Sequence, residues 1–157
     1  MSLPRLFKPF QQVHGASVHP LLSAWFKTEL GQELLQQERD ILDRVLPSLF
    51  GYHLVQTGIG EPQWLAEAST IHNKLFVCDQ PQHSSRYHCV CSHLDDLALA
   101  TESIDVAILH HSLDFSSAPH RALREISRAV IPGGKIVIVG FNPWSLWWLG
   151  RFILMQS

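Results

Sequence analysis

Apolar and polar positions recur with two different periods along this chain, and the changes of period mark out its elements. From Thr28 onward, Leu30, Leu34, Leu35, Ile41, Leu42, Val45, Leu46 and Leu49 fall mainly on one stripe, with Gln, Glu, Arg and Asp between them. That pattern predicts an amphipathic helix, which Pro47 ends or bends. After Gly51, Tyr52 to Thr57 is a strand candidate, and the turn Gly58-Ile59-Gly60 follows it directly. Pro62 is placed to open a short helix reaching Ala68. Lys74 to Cys78 is a short apolar run ending at Asp79, Arg86 to Ser92 is a weaker strand, and Ile104 to His110 is a stronger one. Pro119 opens a helix with Ala122, Leu123, Ile126, Ala129 and Val130 on one face, stopped by Pro132-Gly133-Gly134. Lys135 to Gly140 (KIVIVG) is β-branched and apolar on both faces, the strongest strand signal of the chain. The first 20 residues show no periodicity. Residues 1–27 read as an arm or cap ahead of an α/β domain at 28–157.

Near-continuous apolar strands separated by helices imply a parallel sheet covered on both sides. Right-handed crossovers then make it doubly wound and Rossmann-like. In such sheets ligands bind beyond the carboxyl ends of the strands, near the switch in strand order. Attention therefore falls on the residues just after each strand: Gly58 to Glu61, Asp79, His93 to Asp96, His110 to Asp114, and Phe141 to Pro143.

Composition narrows the class. The 157 residues are 46% hydrophobic and 17% charged, which excludes a disordered chain and suits one domain with a sizeable core. Lys+Arg is 12 against Asp+Glu 14, so there is no basic field and no nucleic-acid partner is expected. Three cysteines are too few for a disulfide scaffold and point to a reducing compartment. The opening MSLPRLFKPFQQVHG has neither a continuous apolar run nor a small-residue cleavage site. No membrane span is expected either, since Asn142, Pro143, Ser145 and Arg151 interrupt the apolar tail from Ile136 to Met155. A cytoplasmic location follows from these features.

Glycines after a first strand let backbone approach a ligand closely. Asp79, 21 residues past Gly58, has the spacing at which a carboxylate meets a ribose hydroxyl pair. A tight turn with a solvated Asp would read the same way. Cys89 and Cys91, with His83, His88 and His93 nearby, suggest zinc, but no second cysteine pair exists and no metal site is expected. His110, His111 and Asp114 could form a base oriented by a carboxylate, or simply polar groups at the end of a strand. Trp144 to Leu154 is apolar on nearly all faces. It reads as buried rather than as a membrane-surface helix.

The segments TGIG, LDDLALATESIDVAILHHSL and PHRALREISRAVIPGGKIVIVGF resemble class I S-adenosylmethionine-dependent methyltransferases, of the group called type 11. Leu97, Ser103, Asp105, Leu123, Glu125, Arg128, Pro132, Gly133 and Gly134 fit that group's pattern. Phe50 to Gly58 and Gly140 to Leu146 are similar to a proteobacterial subgroup of uncharacterised proteins. The resemblance covers about residues 25–150.

This resemblance implies S-adenosylmethionine as cofactor and methyl transfer to an unidentified acceptor. It implies that Gly58, Gly60 and Glu61 approach the cofactor, that Asp79 holds its ribose, and that His93 and Asp95 flank the adenine. Gln56 stands where the group usually has an acid facing the methionine amino group, and Pro62 stands for its third glycine. His110 is the candidate base if the acceptor needs deprotonation. The alternative is a degenerate, non-catalytic member of the fold acting as a binding or assembly module. The group's sheet ends in an antiparallel hairpin that this chain lacks, so the resemblance implies a truncated sheet. Self-association would then run through its open edge and the Trp144–Leu154 segment.

Overall fold

A computed structural model of the chain describes residues 18–58, 64–78 and 87–141. Helices α1 (Val18–Phe26) and α2 (Glu29–Val45) precede the strands β1 (His53–Gly58), β2 (Asn73–Cys78), β3 (His88–Cys91) and β4 (Ile104–His110). Helix α3 (Pro119–Ala129) then leads into β5 (Val130–Val139). The sheet order is β3-β2-β1-β4-β5, with every neighbouring pair parallel. The chain thus steps outward from β1 to β3, then crosses back to place β4 on the other side of β1. This is the doubly wound arrangement that the strand pattern predicts.

Alternate residues along each strand feed two cores, because successive strand side chains point to opposite faces. Leu54, Phe76, Val106 and Ile108 pack with Leu22 and Phe26 of α1 and Leu35 and Leu42 of α2. Val55, Val77, Ala107 and Leu109 pack on the other face with Ile126 and Ala129 of α3. Both faces of β1 and β4 are covered, so these strands carry no polar alternation.

Thr28 starts α2 by accepting a hydrogen bond from Gly31 N on its Oγ1 at 3.2 Å and donating to Trp25 O at 2.6 Å. A side chain at Gly31 would overlap the Trp25 carbonyl, so this glycine lets α1 turn back tightly against α2. The sequence pattern did not predict α1. It is only nine residues long, too short for its apolar positions to show a period.

Two further expectations need correction. Residues 64–68 form no helix; Trp64, Leu65 and Ala66 are buried there without one. Leu65 N donates instead to the side-chain Oε1 of the buried Gln56, at 3.0 Å. Pro132-Gly133-Gly134, expected as a break ahead of a strand from Lys135, lies inside β5. The ladder shifts register between the Ile104 and Val106 pairs to absorb it. Gly133 takes φ 83° in this bulge, and a Cβ on Gly134 would sit 2.8 Å from Asp105 O.

Several residues of the recognised pattern act as ties between loops and strands. Asp105 Oδ2 accepts from both Tyr52 N and His53 N at 2.9 Å, fastening the start of β1 to β4. Glu125 Oε2 accepts from Leu97 N at 3.2 Å and from Arg128 Nη2 at 2.8 Å. Arg128 donates in turn to Leu97 O, Leu99 O and Thr101 Oγ1. Together they hold the 97–101 connection against α3. No helix among the described residues is long and apolar enough to cross a membrane. The Trp144–Leu154 segment lies outside the described residues.

Candidate functional site

The strand ends are level. Register places Thr57 opposite Val77, Cys78 opposite Cys91 and Gly58 opposite His110. The carboxyl ends of β1, β2 and β3 therefore share one edge of the sheet, with β1 and β3 about 10 Å apart at two strand spacings. Gly58 is the last residue of β1, and a Cβ there would press to 3.3 Å from the Phe76 ring. His93 is exposed and Asp95 half-buried, in a turn closed by a bridge between His93 and Asp96 and by the Ser92 hydroxyl. Gly60, Glu61 and Asp79 lie outside the described residues. So does the expected convergence of the second glycine with Asp79.

A cluster of buried polar side chains lies at the end of β4. His110 Nε2 donates to Glu38 Oε2 at 2.9 Å, and His111 Nε2 faces Glu38 Oε1 at 2.9 Å. His111 Nδ1 faces Asp114 Oδ2 at 3.0 Å, and that oxygen also accepts from Phe141 N at 2.8 Å. His110, His111 and Glu38 are 3%, 1% and 9% exposed, so water does little to screen them.

Two features of the chain build this cluster. Leu35, Glu38 and Leu42 share the buried face of α2, which puts a carboxylate in the middle of an apolar stripe aimed at the sheet. Consecutive strand residues should point to opposite faces, yet His110 and His111 both reach Glu38. His111 achieves this with φ 53°, in the left-handed region. Its backbone stays in the ladder, donating to Val139 O at 2.7 Å. Such a conformation costs on the order of 1 kcal/mol or more and persists only where surroundings hold it.

Aromatic rings close the cluster. Phe26 lies 5.7 Å from both imidazoles, and Phe141 stacks on His111 at 4.1 Å. Trp25 and Phe115 back Phe141 edge-on. Beside them Thr57 and Ser112 share a 2.6 Å hydroxyl hydrogen bond.

The electrostatics follow from burial and partners. Burial pushes the His110 imidazole below its usual range, more strongly than its bond to Glu38 lifts it. Burial opposes charge on His111 as well, but bonds to Asp114 and Glu38 at its two nitrogens outweigh that and raise it. Only the doubly protonated ring can donate to both carboxylates. Burial alone would raise Glu38, yet the two histidines hold it down at about 2.

Cys89 is half-buried and Cys91 exposed, and neither forms a disulfide among the described residues. The described group whose ligand atoms come together is instead Glu38, His110 and His111. Sequence reasoning singled out the two histidines and Asp114 but missed Glu38. The available signal was a carboxylate at a stripe position of an otherwise apolar helix face.

Residues 64–138 match the family model described as a methyltransferase domain. The chain is 34% identical over 107 residues to the uncharacterized protein YafS of Escherichia coli (strain K12), covering 67% of this chain and 42% of that one. It is 38% identical over 64 residues to the demethylmenaquinone methyltransferase of Chlamydia pneumoniae, covering 40% and 28%. The chain thus spans less than half the length of these curated relatives. Among solved structures, it superposes with a TM-score of 0.61 at 13% identity on a Methanococcus maripaludis protein assigned as an S-adenosyl-L-methionine-dependent methyltransferase. That overlay covers 97% of this chain and 76% of the other.

Matched residues and strand order agree: the chain is similar to class I methyltransferases and shares their fold. Its sheet is that class's Rossmann-like sheet through the fifth strand.

Proposed function

We propose that the chain binds S-adenosylmethionine along the carboxyl ends of β1, β2 and β3 and transfers its methyl group to an acceptor. The level carboxyl ends of β1, β2 and β3, with Gly58 closing β1 beside Phe76, are the observation that supports this reading. Bound there, the cofactor supplies a sulfonium-activated methyl group, and the protein's task is placement rather than activation.

Gly58 offers backbone with no side chain above Phe76. Gly60 and Glu61 continue that approach, Asp79 takes the ribose hydroxyls, and His93 with Asp95 borders the adenine. Gln56 contributes differently from the acid it replaces. Its Oε1 anchors Leu65 N and so fixes where the chain returns after the glycine turn. His110 spends its Nε2 proton on Glu38 under a layer of rings, so we assign it to holding the end of β4 rather than to accepting a proton.

Calorimetric titration with S-adenosylmethionine and S-adenosylhomocysteine tests the reading. Both are expected to bind one per chain, and Asp79→Ala to weaken both about tenfold or more, the value of a lost pair of hydrogen bonds. Absence of heat for both ligands at millimolar concentration would remove the methyl-donor assignment.

A further inference from the structure

We propose that Glu38, His110 and His111 form a site for one divalent first-row transition metal ion, of which zinc is the redox-inert case. The ion would join α2 to the end of β4. The proposal stands apart from the methyl-donor reading, since it uses different residues.

Four observations carry it. The three ligand atoms lie within 4.8 Å of one another, each from a buried residue. Both imidazoles present the same nitrogen, Nε2, to the same carboxylate, one to each oxygen at 2.9 Å. With metal–ligand bonds of about 2.1 Å, neighbouring donors set at right angles are separated by about 3 Å, so an ion between the imidazoles and the carboxylate needs little movement. His111 then keeps its Nδ1 proton directed at Asp114, the carboxylate-to-histidine support that orients metal-bound imidazoles. Lastly, the left-handed backbone at His111 serves to bring two consecutive side chains onto one point. Hydrogen bonding to Glu38 from His110 alone would not require it.

The donor set also selects the ion. Two imidazoles and one carboxylate suit zinc, iron, cobalt or nickel better than magnesium or calcium, which favour oxygen ligands throughout. Glu38 directly, and Asp114 through His111, supply two negative charges to a doubly charged ion. Phe26 and Phe141 cover the site, so the ion would stabilise the fold rather than meet substrate.

The test uses the full chain, stripped with chelator and titrated with cobalt(II) and, separately, zinc(II). The expected result is one cobalt per chain, visible ligand-field bands and no sulfur-to-cobalt charge-transfer band. Zinc is expected to displace the cobalt and raise the unfolding temperature. Asp114→Asn is expected to weaken uptake about 10- to 100-fold, and a Cys89→Ser, Cys91→Ser double variant to leave it unchanged. Failure of the wild-type chain to take up cobalt at tenfold molar excess overturns the proposal, whatever the variants do. So does a thiolate band, or loss of uptake in the double cysteine variant, either of which would move the ion to Cys89 and Cys91. Because no methyl donor is present, the outcome is independent of the titration with S-adenosylmethionine.

Discussion

His111 Nε2 meets Glu38 Oε1 at 2.9 Å across 73 residues of chain, and the same carboxylate holds His110 Nε2 with its other oxygen. One side chain on a helix thus secures the end of the inner strand β4. The carboxyl end of β4 is positioned through a buried polar contact as well as by the ladder.

Replacing Glu38 with Gln is expected to lower stability by about 3 kcal/mol at neutral pH, measured by urea denaturation of metal-free protein. The cost arises because removing one partner leaves the other buried charge without compensation. A loss under half a kcal/mol would mean that the carboxylate contributes little to holding β4.

The two neighbouring histidines should titrate in opposite senses. His111 is raised, so it is expected to lose its proton above the ordinary value of 6.5; His110 is lowered, so it should stay neutral below it. Imidazole nitrogen chemical shifts followed by NMR in chelator-treated protein would read both. If His110 charges first on acidification, the assigned pattern of hydrogen bonds is wrong.

Stability should carry the same signature. Glu38 is depressed from 4.5 to about 2, so its contribution is present above 4.5 and lost as pH falls toward 2. His110, depressed, adds a penalty below 6.5, where the unfolded chain takes up a proton that the folded chain refuses. His111, raised, contributes fully below 6.5 and is lost as pH climbs through its higher folded value. Metal-free protein is therefore expected to weaken on both sides of a near-neutral optimum, and Glu38→Gln to flatten the acid limb. An acid limb as steep in the variant as in the wild type would contradict this.

Glu125→Ala is expected to speed hydrogen exchange at the Leu97 amide, whose acceptor is Glu125 Oε2. Arg128→Lys should loosen the 97–101 segment as well, because a single ammonium cannot replace donors aimed at Leu97 O, Leu99 O and Thr101. Unchanged exchange in both variants would show that α3 packing alone holds the connection.

Gly31→Ala is expected to destabilise by about 1–3 kcal/mol, the usual cost of overfilling a packed contact. The added methyl group meets the Trp25 carbonyl and pushes α1 away. Fluorescence of Trp25 should shift to the red as the helix lifts. Wild-type stability with an unshifted spectrum would place the α1–α2 crossing elsewhere.

The sheet was largely legible in the sequence because its inner strands β1 and β4 are buried on both faces. Ile104 to His110 shows an apolar run from Val106 to Leu109, and the predicted strand matches β4 at both ends. Short or interrupted elements were harder. In α1 the nine residues carry a proline and a histidine among apolar ones, and β5 contains Pro132-Gly133-Gly134 because a bulge tolerates it. The recognised pattern pointed to Glu125 and Arg128, and their hydrogen bonds supply the physical reason. The cluster at the end of β4 was only half visible. His110, His111 and Asp114 are neighbours in sequence, whereas Glu38 reaches them through packing of α2, which no local spacing encodes.

The left-handed turn at His111 leaves that position without a conservative replacement. Asparagine would accept the backbone but bring no second nitrogen for Asp114 and Glu38. Lysine or arginine would keep a positive charge but strain the turn and overfill the space against Phe141. Glycine would relax the chain and abandon both carboxylates. Two unrelated demands, one conformational and one chemical, fall on a single residue, and of these side chains only imidazole meets both.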